Sequence, residues 1–150
     1  MFDIIKCKAK AEDFGFENFY FFNDVQKQLL KAENLQAAVK YKSKKSLIML
    51  EDYAFDEGSI KVIAEKKKIC FLIDLSSLIK SKGVRRAILM SKLRTFLSLC
   101  VRYGAFYTFA SFAESEMQIR NPDEIKHIGA LIGLNKGQVK FALKMLKHYL

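Results

Sequence analysis

Residues 69–113 read ICFLID (69–74), LSSLIKSKGV (75–84), RRAILMSKLRTFLSLCVRY (85–103) and GAFYTFASFA (104–113). The pattern predicts a short apolar strand ending in an acid, a loop with a glycine, a long amphipathic helix opened by two arginines, and a second buried strand. Between Leu75 and Ala113 there is no aspartate or glutamate, whereas Lys80, Lys82, Arg85, Arg86, Lys92, Arg94 and Arg102 all fall there. This strand-helix-strand unit therefore carries a one-sided positive field.

Charge over the whole chain points the same way. Lys and Arg number 26 against 16 Asp and Glu, a net charge of +10, in a composition that is 51% hydrophobic and so not that of a disordered tail. A folded and strongly basic domain suits a polyanionic partner, most often nucleic acid, although small proteins are also basic for solubility alone. A chain of 150 residues fits one domain, 1–150, able to bury roughly 70% of its unfolded surface. Cys7, Cys70 and Cys100 are odd in number and each lies in apolar context, which fits buried thiols of a reducing compartment better than disulfides. No run has signal-peptide or membrane-spanning length, so a soluble, cytoplasmic protein without a membrane partner is expected.

Outward from the central unit, Phe2 to Cys7 reads as a strand, followed by a helical turn up to Gly15 and a second strand over Asn18 to Phe22. Asn23 and Asp24 look like caps for a helix from Val25 to Glu33, with Leu35 to Tyr41 as a third strand and Ser46 to Glu51 as a fourth. Only Ser43 to Lys45 separates the last two, too little for a parallel crossover. Either a local hairpin or a missing helix would account for that. Asp56 caps an expected helix over Glu57 to Lys67, with Ile60, Ile63 and Ala64 inward. In the long helix Leu89, Leu93, Phe96, Leu97 and Cys100 form the core-facing stripe, turning Arg85, Lys92, Arg94 and Arg102 outward. Asn121-Pro122-Asp123-Glu124 starts a helix that ends by Gly133, and Asn135 caps a last basic helix.

Strands alternating with helices imply an α/β fold with a mostly parallel sheet covered by helices. An open doubly wound sheet and a barrel are both compatible with the order of elements; five or six strands are too few for a full eight-stranded barrel, so any barrel is incomplete.

The chemistry on offer is sparse. GxGxxG, P-loop, CxxC and HExxH patterns are absent, and His127 and His148 lie on the last two helices, away from strand ends. Asp3, Asp24 and Asp74 stand on or beyond strands, where they either gather around magnesium or cap loops. Ser76, Ser91 and Ser111 have no histidine placed as a base, which favours hydrogen bonding to backbone or phosphate. The 13 Phe and 6 Tyr are read mainly as core. Lys80, Lys82 and Gly83, leading into Arg85 and Arg86, bring backbone N–H groups, a positive helix end and two guanidinium forks to one region. That arrangement suits phosphate, and a solvated helix face is the alternative.

These residues carry a family likeness. The run from Phe71 to Ala113, followed by IRNPDEIKHIGALIGL (119–134), resembles ribonuclease P protein component 3, the archaeal form of the thirty-kilodalton protein subunit, here in a shortened version. The landmarks are Leu75 to Ile79, Gly83 with Arg85 and Arg86, Arg94, Tyr103-Gly104, Ala110-Ser111, Arg120-Asn121-Pro122 and Leu131 to Leu134. The resemblance implies an incomplete TIM-barrel-like α/β protein that binds the catalytic RNA of a tRNA-processing ribonucleoprotein. It implies that cleavage of precursor tRNA belongs to that RNA and its magnesium, with no cofactor bound directly by this chain. Component 2 is the implied protein partner, in a heterotetramer. Arg85, Arg86, Arg94, Ser111 and Arg120 fall on the motif positions; with Lys80, Lys82, Lys92 and Arg102 they form the expected set for RNA or partner contact. A small metal-dependent phosphoesterase using Asp3 and Asp74, and a basic protein-protein adaptor, are the alternatives. Family members are longer, and the missing material is expected around Lys42 to Lys67.

Overall fold

Apolar runs too short to be anything but single strands set the frame of the computed structural model, which describes residues 1–150. Strand β1 (Phe2–Ile5) leads through a 3-10 turn at Ala11–Phe14 to β2 (Asn18–Phe21). Gly15 stops the turn at φ 81°, a left-handed backbone that a side chain would strain.

The next segment corrects the expected order. Phe22–Val25 is one turn of helix (α1), Gln26–Gln28 a 3-10 turn, and Leu29–Ala32 a strand (β3) rather than the back half of a helix. Leu35–Ala38 is helix α2, continued by a 3-10 turn at Val39–Tyr41, rather than a strand. Two physical terms decide it. Leu29 to Ala32 pair in parallel with Leu47 to Leu50 of β4 (Ser46–Leu50), and Asn34 caps α2 by accepting from the Ala37 N–H at 2.9 Å. The short connection before β4 is thus neither a hairpin nor a gap; α2 with its 3-10 turn is the crossover.

From there the expected order holds. Helix α3 (Glu57–Lys66) is capped by Asp56 and buries Ile60, Ile63 and Ala64; β5 (Ile69–Asp74) follows. The stretch expected as a loop contains a short helix, α4 (Leu75–Lys80), before α5 (Gly83–Tyr103) and β6 (Phe106–Ala110). Helices α6 (Pro122–Leu131) and α7 (Lys136–Met145) each begin with a capping box, Asn121 with Glu124 and Asn135 with Gln138.

All strand pairs are parallel. They form a sheet of order β3-β4-β5-β6 and a pair β1-β2. Just beyond β6 the two are stitched together, where the Phe112 N–H donates to the Ile4 carbonyl at 2.9 Å and the Lys6 N–H to the Ala113 carbonyl at 2.8 Å. The sequence of neighbours β3-β4-β5-β6-β1-β2 curls towards a barrel, and no ladder joins β2 to β3. The fold is an incomplete TIM-barrel-like arrangement.

Alternation along the strands divides the apolar residues into two layers. Phe71 and Ile73 of β5 face outward to the helices, where Phe71 meets Phe96 of α5 edge-on at 5.1 Å between ring centroids. Cys70 and Leu72 face inward with Phe2, Ile4, Leu47 and Ala110. Leu146, Tyr149 and Leu150 of the last turn pack against this inner layer, and Lys45, just before β4, lies over the Tyr149 ring at 5.3 Å. The chain's last residues therefore plug the amino-terminal end of the strands, leaving the carboxyl end as the open mouth. Cys70 and Cys100 are buried, and Cys7 is half-buried. No helix is long and apolar enough to cross a membrane.

Candidate nucleic-acid interface

The basic unit is shaped by how α4 and α5 begin. Asp74 at the end of β5 caps α4: its Oδ1 accepts from the Ser76 N–H at 2.8 Å and the Ser76 hydroxyl at 2.5 Å, and its Oδ2 from the Ser77 hydroxyl at 2.9 Å. Ser76 is thereby a capping residue and not a free nucleophile. Helix α5 has no such cap. Lys82 precedes it without a side-chain bond to the helix, Gly83 sits at φ +58° in open space, and the first turn holds no acid. The first amides of a 21-residue helix and the arginines beside them share one end, with nothing negative to offset the helix dipole.

Of the expected residues, Lys82 and Arg85 are exposed and enter no ion pair. Lys80, Arg86, Lys92, Arg94 and Arg102 are exposed but tethered. Arg86 Nη2 donates to the Ile79 carbonyl at the end of α4 at 2.7 Å, and Arg94 Nη2 to the Leu131 carbonyl at the end of α6 at 2.6 Å. Lys92 pairs with Asp52 at 2.7 Å, Lys80 with Glu114 at 3.8 Å and Arg102 with Glu57 at 3.7 Å. Arg102 also lies over the Tyr103 ring at 5.3 Å, and Tyr103 donates its hydroxyl to Glu57, holding that carboxyl below its usual range with help from Lys61 and Arg102. Arg120, half-buried, donates to the Met117 carbonyl at 3.1 Å and pairs loosely with Glu124 at 3.9 Å. Exposed pairs of this kind are worth about 0–1 kcal/mol, so a polyanion can compete for each.

Geometry sorts the set into neighbourhoods. Arg86 and Arg120 line one cleft of about 260 Å³ between α4, α5 and α6, floored by Leu78, Met90 and Ile128. Arg85 and Lys92 line another, facing Asp52 and Tyr53 beyond β4. Arg102 stands about 26 Å further along the helix axis than Arg85, a distance set by the rise of about 1.5 Å per residue. The charges thus make an extended face and not a single pocket.

Ser111 does not belong to that face. It is buried, its hydroxyl donates to Asp3 Oδ2 at 2.6 Å and its N–H to Asp3 Oδ1 at 2.8 Å. The expectation of an RNA or partner contact there is corrected by this internal bond. The same bond removes Asp3 from any rim. Asp3 is fully enclosed while Asp74 is half-buried at the mouth and engaged in capping, and no group of three metal-ligating side chains forms. The paired-carboxylate arrangement that a phosphoesterase needs is not built. His127 and His148 are exposed.

A second basic group was not anticipated. Lys6, Lys27 and Lys31 surround the mouth at the carboxyl ends of the strands. The signal is Lys31, the one charge in the strand LLKA, which a helical reading of residues 25–33 conceals.

Comparison with known proteins agrees with the family likeness. Over 80 residues, 53% of the chain, it is 34% identical to ribonuclease P protein component 3 of Methanococcoides burtonii, and the matched stretch spans 33% of that protein. The fold matches a chain in the cryo-EM structure of an archaeal ribonuclease P with mature tRNA, with a TM-score of 0.68 over 99% of this chain and 78% of that one, at 14% identity. No protein-family model matches the chain.

Proposed function

We propose that this chain is a protein subunit of ribonuclease P that binds and stabilises the catalytic RNA for 5′ maturation of precursor tRNA. One observation carries the reading: residues 75–113 hold seven cations and no acid, and the structure displays five of them along the exposed length of α5 and two just before it, on a fold like that of a ribonuclease P chain. Lys82 and Arg85 offer unpaired charge to phosphate, and Arg86, Arg120 and Arg94 offer guanidinium forks already oriented by carbonyl oxygens. On this reading cleavage belongs to the RNA and its magnesium. The partners on this reading are that RNA, component 2 in a heterotetramer, and precursor tRNA as substrate of the assembled particle, in the cytoplasm.

Reconstitution tests it. Processing of a precursor tRNA by the host's ribonuclease P RNA is measured at limiting magnesium, with component 2, with and without this protein. Stimulation that requires both proteins is expected. No stimulation together with no preference for that RNA over unrelated RNA overturns the proposal and returns the basic face to the adaptor reading.

A further inference from the structure

We propose that the mouth of the barrel is a separate binding site for a nucleoside phosphate. The cavity there holds about 550 Å³, within the range of nucleotide-sized sites, and lies where a barrel of parallel strands exposes its ligands. Three lysines reach it from three elements: Lys6 just past β1, Lys27 in the turn after α1, and Lys31 in β3. None is in an ion pair. The only carboxylate lining the same cavity is Asp74, whose oxygens already accept from Ser76 and Ser77. Three ammonium groups around a concave surface repel one another until an anion joins them, and phosphate is the anion that accepts several such donors at once.

The rest of the lining selects what the phosphate is attached to. Lys6 Nζ is held over the Phe22 ring at 4.9 Å and the Phe112 ring at 5.8 Å, so its charge is fixed at the rim. Phe22 and Phe112 meet edge-on at 5.8 Å, and with Leu29 and Met49 they make an apolar floor able to take a flat base. Phe112 adopts φ 48°, a left-handed backbone that a bulky residue enters at a cost of about 1–2 kcal/mol, and it lines the mouth. Asp74 Oδ2 accepts only from Ser77 and keeps capacity for a ribose hydroxyl. Cations on one side, an apolar shelf on the other and a carboxylate between them match phosphate, base and sugar.

The site stands apart from the α5 face, so its test is separable from reconstitution. Isothermal titration of the full chain at low salt uses adenosine 5′-monophosphate, inorganic phosphate and a 5′-phosphorylated five-residue oligoadenylate. The mononucleotide is expected to bind one site, more tightly than phosphate. Lys6→Ala and Lys31→Ala, both at exposed positions, each weaken it about ten-fold, the loss of one charge-assisted contact, and Lys140→Ala, exposed on α7, leaves it unchanged. An oligonucleotide that binds more tightly than the mononucleotide and loses that gain in Lys31→Ala assigns the site to an unpaired RNA residue; one whose binding Lys31→Ala does not change assigns it to a free mononucleotide. Absence of saturable mononucleotide binding, equal affinity for phosphate, or insensitivity to both lysine substitutions overturns the proposal.

Discussion

Asp3 and Ser111 lie 108 residues apart and bond twice, through the Ser111 hydroxyl and N–H, in a site from which water is excluded. Burial outweighs these bonds and that of the Ile4 N–H, pushing the Asp3 carboxyl up to about 7. The folded state therefore holds a proton that the unfolded state, with an ordinary carboxyl near 3.8, releases. The stability this contributes is complete below about pH 4 and is lost as pH rises through about 7, amounting to a few kcal/mol. Urea midpoints should fall between pH 5 and pH 8, and Asp3→Asn should flatten that dependence; a midpoint that rises with pH in the wild-type protein refutes it.

Phe96 joins the helix layer to the sheet, meeting Phe71 at 5.1 Å and Tyr53 at 5.0 Å. Phe96→Ala should cost about 3–5 kcal/mol in chemical denaturation, because the rings around it belong to different elements and cannot all close on the void.

Gly129 in α6 faces Val139 of α7, and an added Cβ would overlap Val139 Cγ2. Helix propensity favours Gly129→Ala by about 1 kcal/mol, yet overpacking costs about 1–3 kcal/mol and should win. The double variant with Val139→Ala should recover more stability than the sum of the single effects predicts, which a double-mutant cycle measures.

Arg85 and Arg86 are adjacent but should respond differently. Arg85→Ala removes an unpaired exposed charge, so thermal stability stays put while the salt dependence of RNA binding loses about 0.7–0.9 of a unit in log-log slope. Arg86→Ala lowers the slope similarly and in addition releases the Ile79 carbonyl, costing about 0.5–1 kcal/mol of stability. Equal salt slopes in wild type and the double variant would place the RNA elsewhere.

What the amino-acid order revealed depends on how each element is specified. Helices α3, α6 and α7 announce themselves through Asp56, Asn121 and Asn135, local caps that need nothing from the rest of the chain. Residues 22–41 were reversed because LLKA is extended only by virtue of its ladder with β4, a partner many residues away; Asn34 was nevertheless a readable cap for α2. Six residues of α4 are too few for periodicity to register, although Asp74 with serines two and three residues on has the form of a cap. The acid-free run in 75–113 was visible as composition. Its partners, Asp52, Glu57 and Glu114, come from other segments, and so the distinction between tethered and free charges belongs to the folded state.

The seam between Ile4 and Phe112 sets an order of events during synthesis. Strands β3 to β6 each pair with the strand emerging just before or after them, so this sheet can assemble progressively as the chain leaves the ribosome. Strand β1 precedes this sheet in the chain but has β2 alone as a neighbour until residues 111–113 appear. Its Phe2 and Ile4 gain the rest of their cover only from segments made after the four-stranded sheet, residues 111–113 and Leu146, so β1 docks later than strands that follow it in the chain.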